Sequence, residues 1–388
     1  MHEAVIVDVV RTGSGRGKGG GALADTHPGE LLATVLGALL ERNSLDGHEV
    51  DDVIAGCVSQ VGDQALNIAR TAALAAGLPE TVPGTTVDRQ CGSSQQAVHF
   101  AAQGVMAGAY EVVIACGVES MSRVQMGAAN SGGDPLQPLV PRYPEGLVNQ
   151  GVSAELIAAR WKWSREDLDE YSARSHQRAA TAAAAGWFDR EIVPVGPHRH
   201  DETIRGNTTP EGLSALRAAF RSEDLAERFP EIEWAITPGN SSPLTDGASA
   251  ALIMSAERAV ALGLRPRARF RSFAVTGSDP FLMLTGVIPA TQMALRRAGL
   301  SIEKIDAFEV NEAFAPVPLT WAREFDVDEA RVNPRGGAIA LGHPLGASGI
   351  RLLTTMVHHL EDTNGSLGLQ TMCEGGGMAN ATIIEVLG

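Results

Sequence analysis

The chain has 388 residues, which is enough for two or three domains of ordinary size. Apolar residues make up 44% and charged residues 20%, which excludes a disordered chain, and no apolar run approaches the roughly 18 residues of a spanning helix. The formal net charge of −15 opposes binding to nucleic acid, whose phosphates are also negative. We therefore expect a globular protein that binds neither nucleic acid nor a membrane.

The N-terminus and the cysteines both favour the cytoplasm. The first residues, MHEAVIVDVVRT, enter an alternating apolar stretch at once and leave no room for a signal or transit peptide. The cysteines are far apart, with no C-x-x-C pair and no histidine at zinc-site spacing (Cys57, Cys91, Cys116 and Cys373). We expect reduced thiols, with neither a disulfide framework nor a metal site.

Short β-rich runs alternate with alanine-rich helical runs, a pattern typical of a layered α/β protein. In chain order, we predict a strand at 4–10, a helix at 29–43, a strand at 52–57, a helix at 67–76, a strand at 85–88, a helix from about residue 91 and a strand at 111–116. From about residue 119 the composition changes, and helical stretches such as 165–185 indicate a large inserted or covering segment. Strands return at 248–254 and 268–275.

The two ends of the chain resemble each other weakly. Each has an acidic-led strand, then a Val-Asp or Val-Asn pair before a turn with glycine and serine, and finally a strand with a Cys-Gly type turn. The paired segments are 51–58 with 304–314, 87–88 with 332–333, and 112–120 with 369–377. This order indicates a duplicated βα unit.

Cys91 is a candidate nucleophile because it lies at a predicted strand-to-helix turn, in VDRQCGSSQQA. The positive end of a helix dipole lowers the pKa of a thiol and favours the thiolate. The alternative is a small buried side chain, which is the usual state of an isolated intracellular cysteine. That alternative fits Cys57 and Cys116, which lie inside apolar strands.

Three further residues could take part in chemistry. His343 lies in the glycine-rich GGAIALGHPLGASG and is a natural base for a thiol, although a capping or surface role is also open. Cys373 precedes Glu374 and three glycines, so it could act as an acid or base beside an oxyanion hole. Asn311, in VNEAFAP, could orient a water molecule or a histidine, although turn-forming Asn is common.

Together these motifs resemble one family, the thiolases (acetyl-CoA C-acyltransferases), in their order and approximate spacing. The matching segments are RQCGSSQQA at Cys91, VNEAFA at Asn311, GGAIALGHPLGASG at His343, CEGGGMANA at Cys373, DETIR at 201–205, LRAAF at 216–220 and TPGNSSPLTDGA at 237–248. The resemblance extends over essentially the whole chain. It favours the nucleophilic role of Cys91 over the structural one.

The resemblance implies a fold with two similar βαβαβ core halves in five layers, α/β/α/β/α, and an inserted loop domain. The first half would comprise 1–118 with 245–265 and carry Cys91. The loop domain, 119–244, would cover the site and contact coenzyme A. The second half, 266–388, would carry the other three candidates.

The resemblance also implies a reaction. Cys91 would attack the 3-keto carbon of a 3-oxoacyl-CoA after His343 takes its proton. Cys373 would protonate the acetyl-CoA enolate that leaves and then deprotonate a second CoA thiol. His343 and a water held by Asn311 would stabilise the enolate oxygen. The N–H groups of Cys91 and Gly375 would form the second oxyanion hole.

Contacts to coenzyme A follow from the same resemblance. Arg217 matches a loop-domain arginine near the nucleotide, and Ser242 matches a serine near the pantetheine. Ala313 and Phe314 would line the same tunnel. Coenzyme A would be a co-substrate with no permanently bound cofactor and no metal, and the resemblance implies a homodimer or homotetramer.

Several positions depart from the common family pattern, mostly near the expected acyl group. Asn149 and Gln150 stand where many members have His-Met or Pro-Met. The other departures are Ser94, Leu284, Val287 and Ala379. We expect them to affect the choice of acyl group and not the chemistry. The motif sequences CGSSQQA and CEGGGMANATIIE resemble those of actinobacterial degradative thiolases, some of which act on bulky steroid-derived acyl-CoAs.

A degradative 3-oxoacyl-CoA thiolase is therefore the main functional hypothesis. A biosynthetic acetoacetyl-CoA thiolase is the alternative, because the same residues serve both directions. A decarboxylating condensing enzyme fits less well, since its Cys-His-His arrangement differs from one in which Cys373 is the third member. A non-catalytic acyl-CoA-binding protein is also disfavoured, because all four catalytic candidates are present.

Overall fold

The computed structural model describes residues 2–388. The strands are β1 (Ala4–Thr12), β2 (Gly15–Arg16), β3 (Asp52–Gly56), β4 (Gly84–Val87), β5 (Val112–Ser120), β6 (Ile192–Val193), β7 (Thr245–Ser255), β8 (Ala268–Gly277), β9 (Ala307–Val310), β10 (Leu367–Glu374) and β11 (Met378–Val386). The helices are α1 (Pro28–Arg42), α2 (Ile68–Ala75), α3 (Ser93–Met106), α4 (Gln150–Trp161), α5 (Arg165–Ala184), α6 (Pro210–Ser214), α7 (Glu223–Arg228), α8 (Ala256–Ala261), α9 (Val287–Ala298), α10 (Pro316–Phe325), α11 (Ala338–Leu341) and α12 (Ser348–Thr363). Every predicted strand and helix is confirmed, with ends that differ by a few residues.

The main strands follow the order β4-β3-β5-β7-β1-β8-β11-β10-β9, and this order repeats one pattern twice. In the first half, β3 pairs in parallel with β4 and β5, and β5 pairs antiparallel with β7. In the second half, β9 pairs in parallel with β10, and β10 pairs antiparallel with β11. The halves join where β1 and β8 pair antiparallel. The duplicated unit predicted from the sequence is thus present in the topology.

Side chains alternate between the two faces of each strand, so the two faces of the sheet pack into different hydrophobic cores. In β1, Val5 and Val7 pack with the outer helices α1 and α2, whereas Ala4 and Ile6 pack with the central helices α3 and α12. In the second half, a further core lies between the strands and the outer helices α9 and α10. The resulting order of layers, α/β/α/β/α, confirms the predicted fold class. The predicted domain boundaries, 1–118 with 245–265, 119–244 and 266–388, stay a prediction.

Two glycines permit the close packing at the centre of the molecule. A Cβ added to Gly349, near the start of α12, would overlap the backbone N of Gln95 in the first turn of α3. A Cβ on Gly117 of β5 would overlap the carbonyl oxygen of Gly346 in the loop before α12. Only glycine allows backbones to approach so closely. The N-terminal ends of the two central helices are therefore held side by side.

Glu119 fastens the loop before α12 to the first half of the fold. Its buried carboxylate accepts hydrogen bonds from the backbone N–H groups of Val58, Ser59 and Gly346 and from the side chain of Gln64, at 2.9–3.0 Å. The backbone N–H groups of irregular loops are not satisfied by the hydrogen bonds of a helix or sheet. A buried side-chain acceptor can satisfy them instead. One carboxylate therefore ties segments that are far apart in the sequence.

We expect Glu119→Gln to destabilise the fold by about 2 kcal/mol, because an amide NH2 would then face buried N–H donors. The melting temperature should fall by several degrees in a thermal denaturation experiment. The control is Glu80→Gln, since Glu80 is exposed. Equal melting temperatures for the two variants would contradict the role assigned to Glu119.

Candidate active site

The four predicted catalytic side chains lie where strands end and helices begin. Cys91 is in the turn between β4 and α3, and Asn311 directly follows β9. His343 lies between α11 and α12, and Cys373 is next to last in β10. Each of the four is at most 4% exposed. The close contact of α3 with α12 brings these segments together from both halves of the fold.

Ser348 holds His343 in one tautomer. The Nδ1 atom of His343 is 2.6 Å from the Ser348 hydroxyl, which donates its only proton to the carbonyl oxygen of Pro344 at 2.8 Å. The hydroxyl oxygen must therefore accept from Nδ1–H, which leaves Nε2 unprotonated. Burial, and secondly the positive charge of Arg351, lower the pKa of His343 to about 3. The imidazole is consequently neutral at neutral pH, and the unprotonated Nε2 is its basic atom.

Asn311 links this histidine to the second cysteine. Its Nδ2 atom is 3.4 Å from Nε2 of His343 and 3.9 Å from Sγ of Cys373. Its Oδ1 atom is buried and has no hydrogen-bond partner within residues 2–388. A buried amide oxygen in this state is available to a water molecule or to a substrate.

Burial determines the protonation of Cys91. It raises the pKa of the thiol, and the negative charges that Cys373 and Glu374 can carry raise it further. The Gln150 amide and the backbone N–H of Gly375 favour the thiolate but do not offset burial. The lowered pKa expected from the sequence is therefore wrong for the ligand-free protein, because the loss of water on burial outweighs the hydrogen bonds that favour the thiolate.

Cys373 is also a neutral thiol in this environment. Burial raises its pKa to about 12, although the Asn311 amide and the backbone N–H of Ala313 oppose the rise. Both thiols and the imidazole are thus uncharged before a ligand enters. Transfer of a proton from one of these neutral groups to another creates two opposite charges close together, so no isolated charge forms in the interior.

Glu312 positions the loop that leads to His343. Its carboxylate lies against Gly337, where an added Cβ would overlap it. It accepts four hydrogen bonds at 2.7–3.1 Å, from the Tyr171 and Ser175 hydroxyls, the Asn333 amide and the Ile339 N–H. Tyr171 and Ser175 belong to α5, so the covering segment is attached to the catalytic loop.

Three residues that position the site are not among those predicted from the sequence: Ser348, Glu312 and Glu119. The first two stand inside motifs that were singled out, five residues after His343 and directly after Asn311. Their position in these motifs was the available signal. Glu119 is the next-to-last residue of the apolar strand β5, and segment 112–120 gave no indication of its role, because its partners come from distant segments.

Three of the four predicted coenzyme A contacts are brought together. The Ser242 N–H donates to the Ala313 carbonyl at 3.0 Å. The adjacent Phe314 packs edge-on against Phe220, with ring centroids 6.0 Å apart. Arg217 lies on the exposed surface after α6 and has no ion-pair partner among residues 2–388.

Comparison with known proteins identifies the family. The model of the N-terminal thiolase domain matches residues 4–257, and the model of the C-terminal thiolase domain matches residues 264–386. The chain is a member of the thiolase family. This membership agrees with the resemblance found in the sequence motifs.

Named thiolases resemble the chain over its full length. It is 49% identical to a steroid 3-ketoacyl-CoA thiolase of Mycobacterium tuberculosis over 402 residues, covering 100% of this chain and 95% of that protein. It is 45% identical to a 3-ketoacyl-CoA thiolase of Serratia proteamaculans over 398 residues, covering 99% of this chain and 100% of the relative. The acetyl-CoA acetyltransferase of Bacillus anthracis has the same fold, with a TM-score of 0.89, 37% identity and coverage of 100% and 99%.

Within residues 2–388, no group of three or more His, Cys, Asp or Glu side chains is arranged to hold a metal ion. No helix in that range combines the length and apolarity needed to cross a bilayer.

We expect Ser348→Ala to lower kcat/KM by about tenfold to a hundredfold, because Nδ1–H loses its acceptor and the tautomer is no longer fixed. Steady-state kinetics with a 3-oxoacyl-CoA would measure the change. The matched control is Thr354→Val, which removes another buried hydroxyl of α12 that donates to the carbonyl four residues earlier. Similar losses in both variants would indicate a general effect on α12.

We expect the alkylation of Cys91 by iodoacetamide to become steadily faster from pH 6 to pH 9. Only the thiolate reacts, and a raised pKa means that its fraction keeps growing over this range. Mass spectrometry of the modified peptide would give the rate, with Cys91→Ala as the control for reaction at Cys373. A rate that is constant above about pH 7 would instead reveal a thiolate–imidazolium pair.

Proposed function

We propose that this thiolase is an acetyl-CoA C-acyltransferase that cleaves a 3-oxoacyl-CoA, with coenzyme A, into acetyl-CoA and a shortened acyl-CoA. The observation that carries the proposal is that Asn311 lies within reach of both His343 and Cys373, in a buried site where Cys373 is also close enough to Cys91 to raise the pKa of its thiol. The names of the relatives at 45% and 49% identity support the same reaction. They favour the degradative direction over acetoacetyl-CoA synthesis.

In the first half-reaction, Nε2 of His343 takes the proton of the Cys91 thiol as the sulfur attacks the 3-keto carbon. The bond between C2 and C3 of the substrate then breaks. The acyl group remains on Cys91 as a thioester, and acetyl-CoA leaves as an enolate that takes the proton of Cys373. The covalent intermediate divides a difficult carbon–carbon cleavage into two easier steps.

In the second half-reaction, the Cys373 thiolate takes the proton of the incoming CoA thiol. The CoA sulfur attacks the thioester carbonyl, and the Cys91 sulfur leaves and recovers its proton from His343. Both cysteines and the histidine return to their neutral state. The overall balance is one 3-oxoacyl-CoA and one CoA converted to acetyl-CoA and the shortened acyl-CoA.

Two sets of donors would stabilise the negative oxygens of this reaction. The protonated His343, with a water on the unpartnered Oδ1 of Asn311, would face the enolate oxygen. The N–H groups of Cys91 and Gly375 would face the oxygen on the reacting acyl carbon. Hydrogen-bond donors fixed in a water-poor site are among the strongest contributions to acyl transfer.

The covering segment and the second half would hold coenzyme A. Ser242, Ala313 and Phe314 lie together and would contact its pantetheine arm. The exposed Arg217 would contact the nucleotide, since the overall charge of −15 requires a local cation for an anionic ligand. The homodimer or homotetramer, and a cytoplasmic location, belong to the same proposal.

We expect Cys91→Ala to lower the cleavage rate by a factor of about 10³ or more, because the covalent intermediate can no longer form. The assay follows loss of acetoacetyl-CoA, of a long-chain 3-oxoacyl-CoA and of a cyclic one, each with free CoA. The control is Cys116→Ala, which alters a buried cysteine inside β5. Cleavage that persists without Cys91 would contradict the mechanism, and the substrate cleaved fastest would identify the acyl class.

A further inference from the structure

The strand β9 places a second polar side chain directly behind Asn311. Glu309 precedes Asn311 by two residues, and the Asn311 N–H continues the pairing of β9 with β10 by donating to the Thr371 carbonyl at 3.1 Å. Residues two apart on a strand share a face, so Glu309 and Asn311 project to the same side of the sheet. Ala307, on that same face, packs with α3 and α12. The Glu309 carboxylate therefore lies between β9 and the central helices, one step along the strand from the Asn311 amide.

The helix α12 places Arg351 behind His343 in a similar way. Ser348, whose hydroxyl contacts Nδ1 of His343, and Arg351 are three residues apart, and residues at this spacing share a face of a helix. The Arg351 side chain is buried, and its positive charge reaches His343, where it adds to burial in lowering the pKa of the imidazole. Glu309 and Arg351 thus form a second pair, one step further from the substrate along the same strand and helix as Asn311 and His343.

The polar atoms of this second pair are buried without partners from the protein. Within residues 2–388, neither carboxylate oxygen of Glu309 and none of the three guanidinium nitrogens of Arg351 has a hydrogen-bond partner. Burial raises the pKa of Glu309 to about 8 and the positive charge of Arg351 opposes the rise, so the two groups are near neighbours. Buried ionisable groups are strongly disfavoured unless their donors and acceptors are satisfied. The space between the two side chains must therefore hold molecules that bond to both.

Water is the ligand whose chemistry fits this space. A guanidinium only donates and a carboxylate only accepts, so a molecule that bonds to both must accept and donate. Water does this, and buried water typically bonds to about three otherwise unsatisfied polar groups. Oδ1 of Asn311, on the same face of β9, is a further buried acceptor with no partner in the described chain, residues 2–388. The unsatisfied atoms of Glu309, Arg351 and Asn311 together line one continuous polar region behind the site.

We propose that Glu309 and Arg351 hold a buried water cluster that extends to Oδ1 of Asn311 and fixes the water that stabilises the enolate. This inference rests on the proposed function, in which that water donates to the enolate oxygen. Glu309 accepts from the cluster and Arg351 donates to it, so its water molecules have a defined orientation. Neither side chain contacts the substrate, and both are positioning residues that act through Asn311. A donor that is already oriented needs no reorganisation when negative charge develops.

A high-resolution crystal structure of the full chain without substrate tests the site itself. We expect about two or more ordered water molecules within hydrogen-bond distance of the Glu309 carboxylate and the Arg351 guanidinium. One of them should connect to a water on Oδ1 of Asn311. A direct ion pair between the two side chains, with no water between them, would overturn the inference whatever reaction the protein catalyses.

The kinetic test uses Glu309→Leu combined with Arg351→Met, which removes both charges together and leaves neither one buried alone. The substrate is whichever of acetoacetyl-CoA, a long-chain and a cyclic 3-oxoacyl-CoA the wild type cleaves fastest. We expect kcat to fall by about tenfold or more, because the enolate loses a fixed donor. KM should stay within about threefold of the wild-type value, since this donor acts only in the transition state. The melting temperature should change little, because apolar groups often replace a buried charged pair without loss of stability.

Two further variants separate the water-holding role from general effects on the helix. Arg267→Met combined with Glu361→Leu removes a directly bonded pair by the same two kinds of substitution, at the far end of α12 from His343. This matched control should keep the wild-type kcat. Glu309→Gln retains hydrogen-bonding groups for water, and we expect it to lower kcat by no more than about threefold.

Three kinetic results overturn the inference alone. They are an unchanged kcat in the folded Glu309→Leu/Arg351→Met protein, an equal fall in the control pair, and an equal fall in Glu309→Gln. If the Glu309→Leu/Arg351→Met protein does not fold, the crystal structure of the wild type decides the question. If the wild type cleaves none of the three substrates, the proposed function is overturned, whereas the water site is still decided by the crystal structure.

Discussion

The contact between the backbones of α3 and α12 at Gly349 determines where the reacting groups of this thiolase lie. Each half of the duplicated fold contributes one of these helices, and a side chain at Gly349 would separate them. The turn with Cys91 leads into the first helix, and the loop with His343 leads into the second. A displacement of either helix would therefore move a reacting atom, and catalysis depends steeply on such distances.

Buried carboxylates hold the loops that this contact brings together. Glu119 ties the loop after His343 to the first half, and Glu312 ties the loop before it to α5. Glu155 ties α4 to the strand-like segment that precedes Asn240. Each accepts several hydrogen bonds that no secondary structure could supply. Together they hold the irregular segments around His343 and the helix α4, whose first residue, Gln150, directs its amide at the Cys91 sulfur.

Much of the molecule could be predicted from local sequence. Alternation of apolar residues predicted β1, β5 and β7, and helical periodicity predicted α1 and α3, because these elements bury one face in any layered fold. The four catalytic candidates stood out because each lies at the end of a predicted strand or in or beside a glycine-rich turn. The duplicated topology was visible in the sequence as paired motifs, because both halves pack similar strands and helices in the same order.

The sequence by itself therefore determined the fold class, the elements and the candidates for the reacting side chains. Tertiary structure decided their chemical state and their partners. Burial raised the pKa of Cys91 where the local pattern predicted a lower one, because desolvation depends on residues from both halves. The tautomer of His343 and the hydrogen bonds that Glu119 and Glu312 accept from distant loops also depend on packing. These contacts join residues far apart in the chain, and no local pattern encodes them.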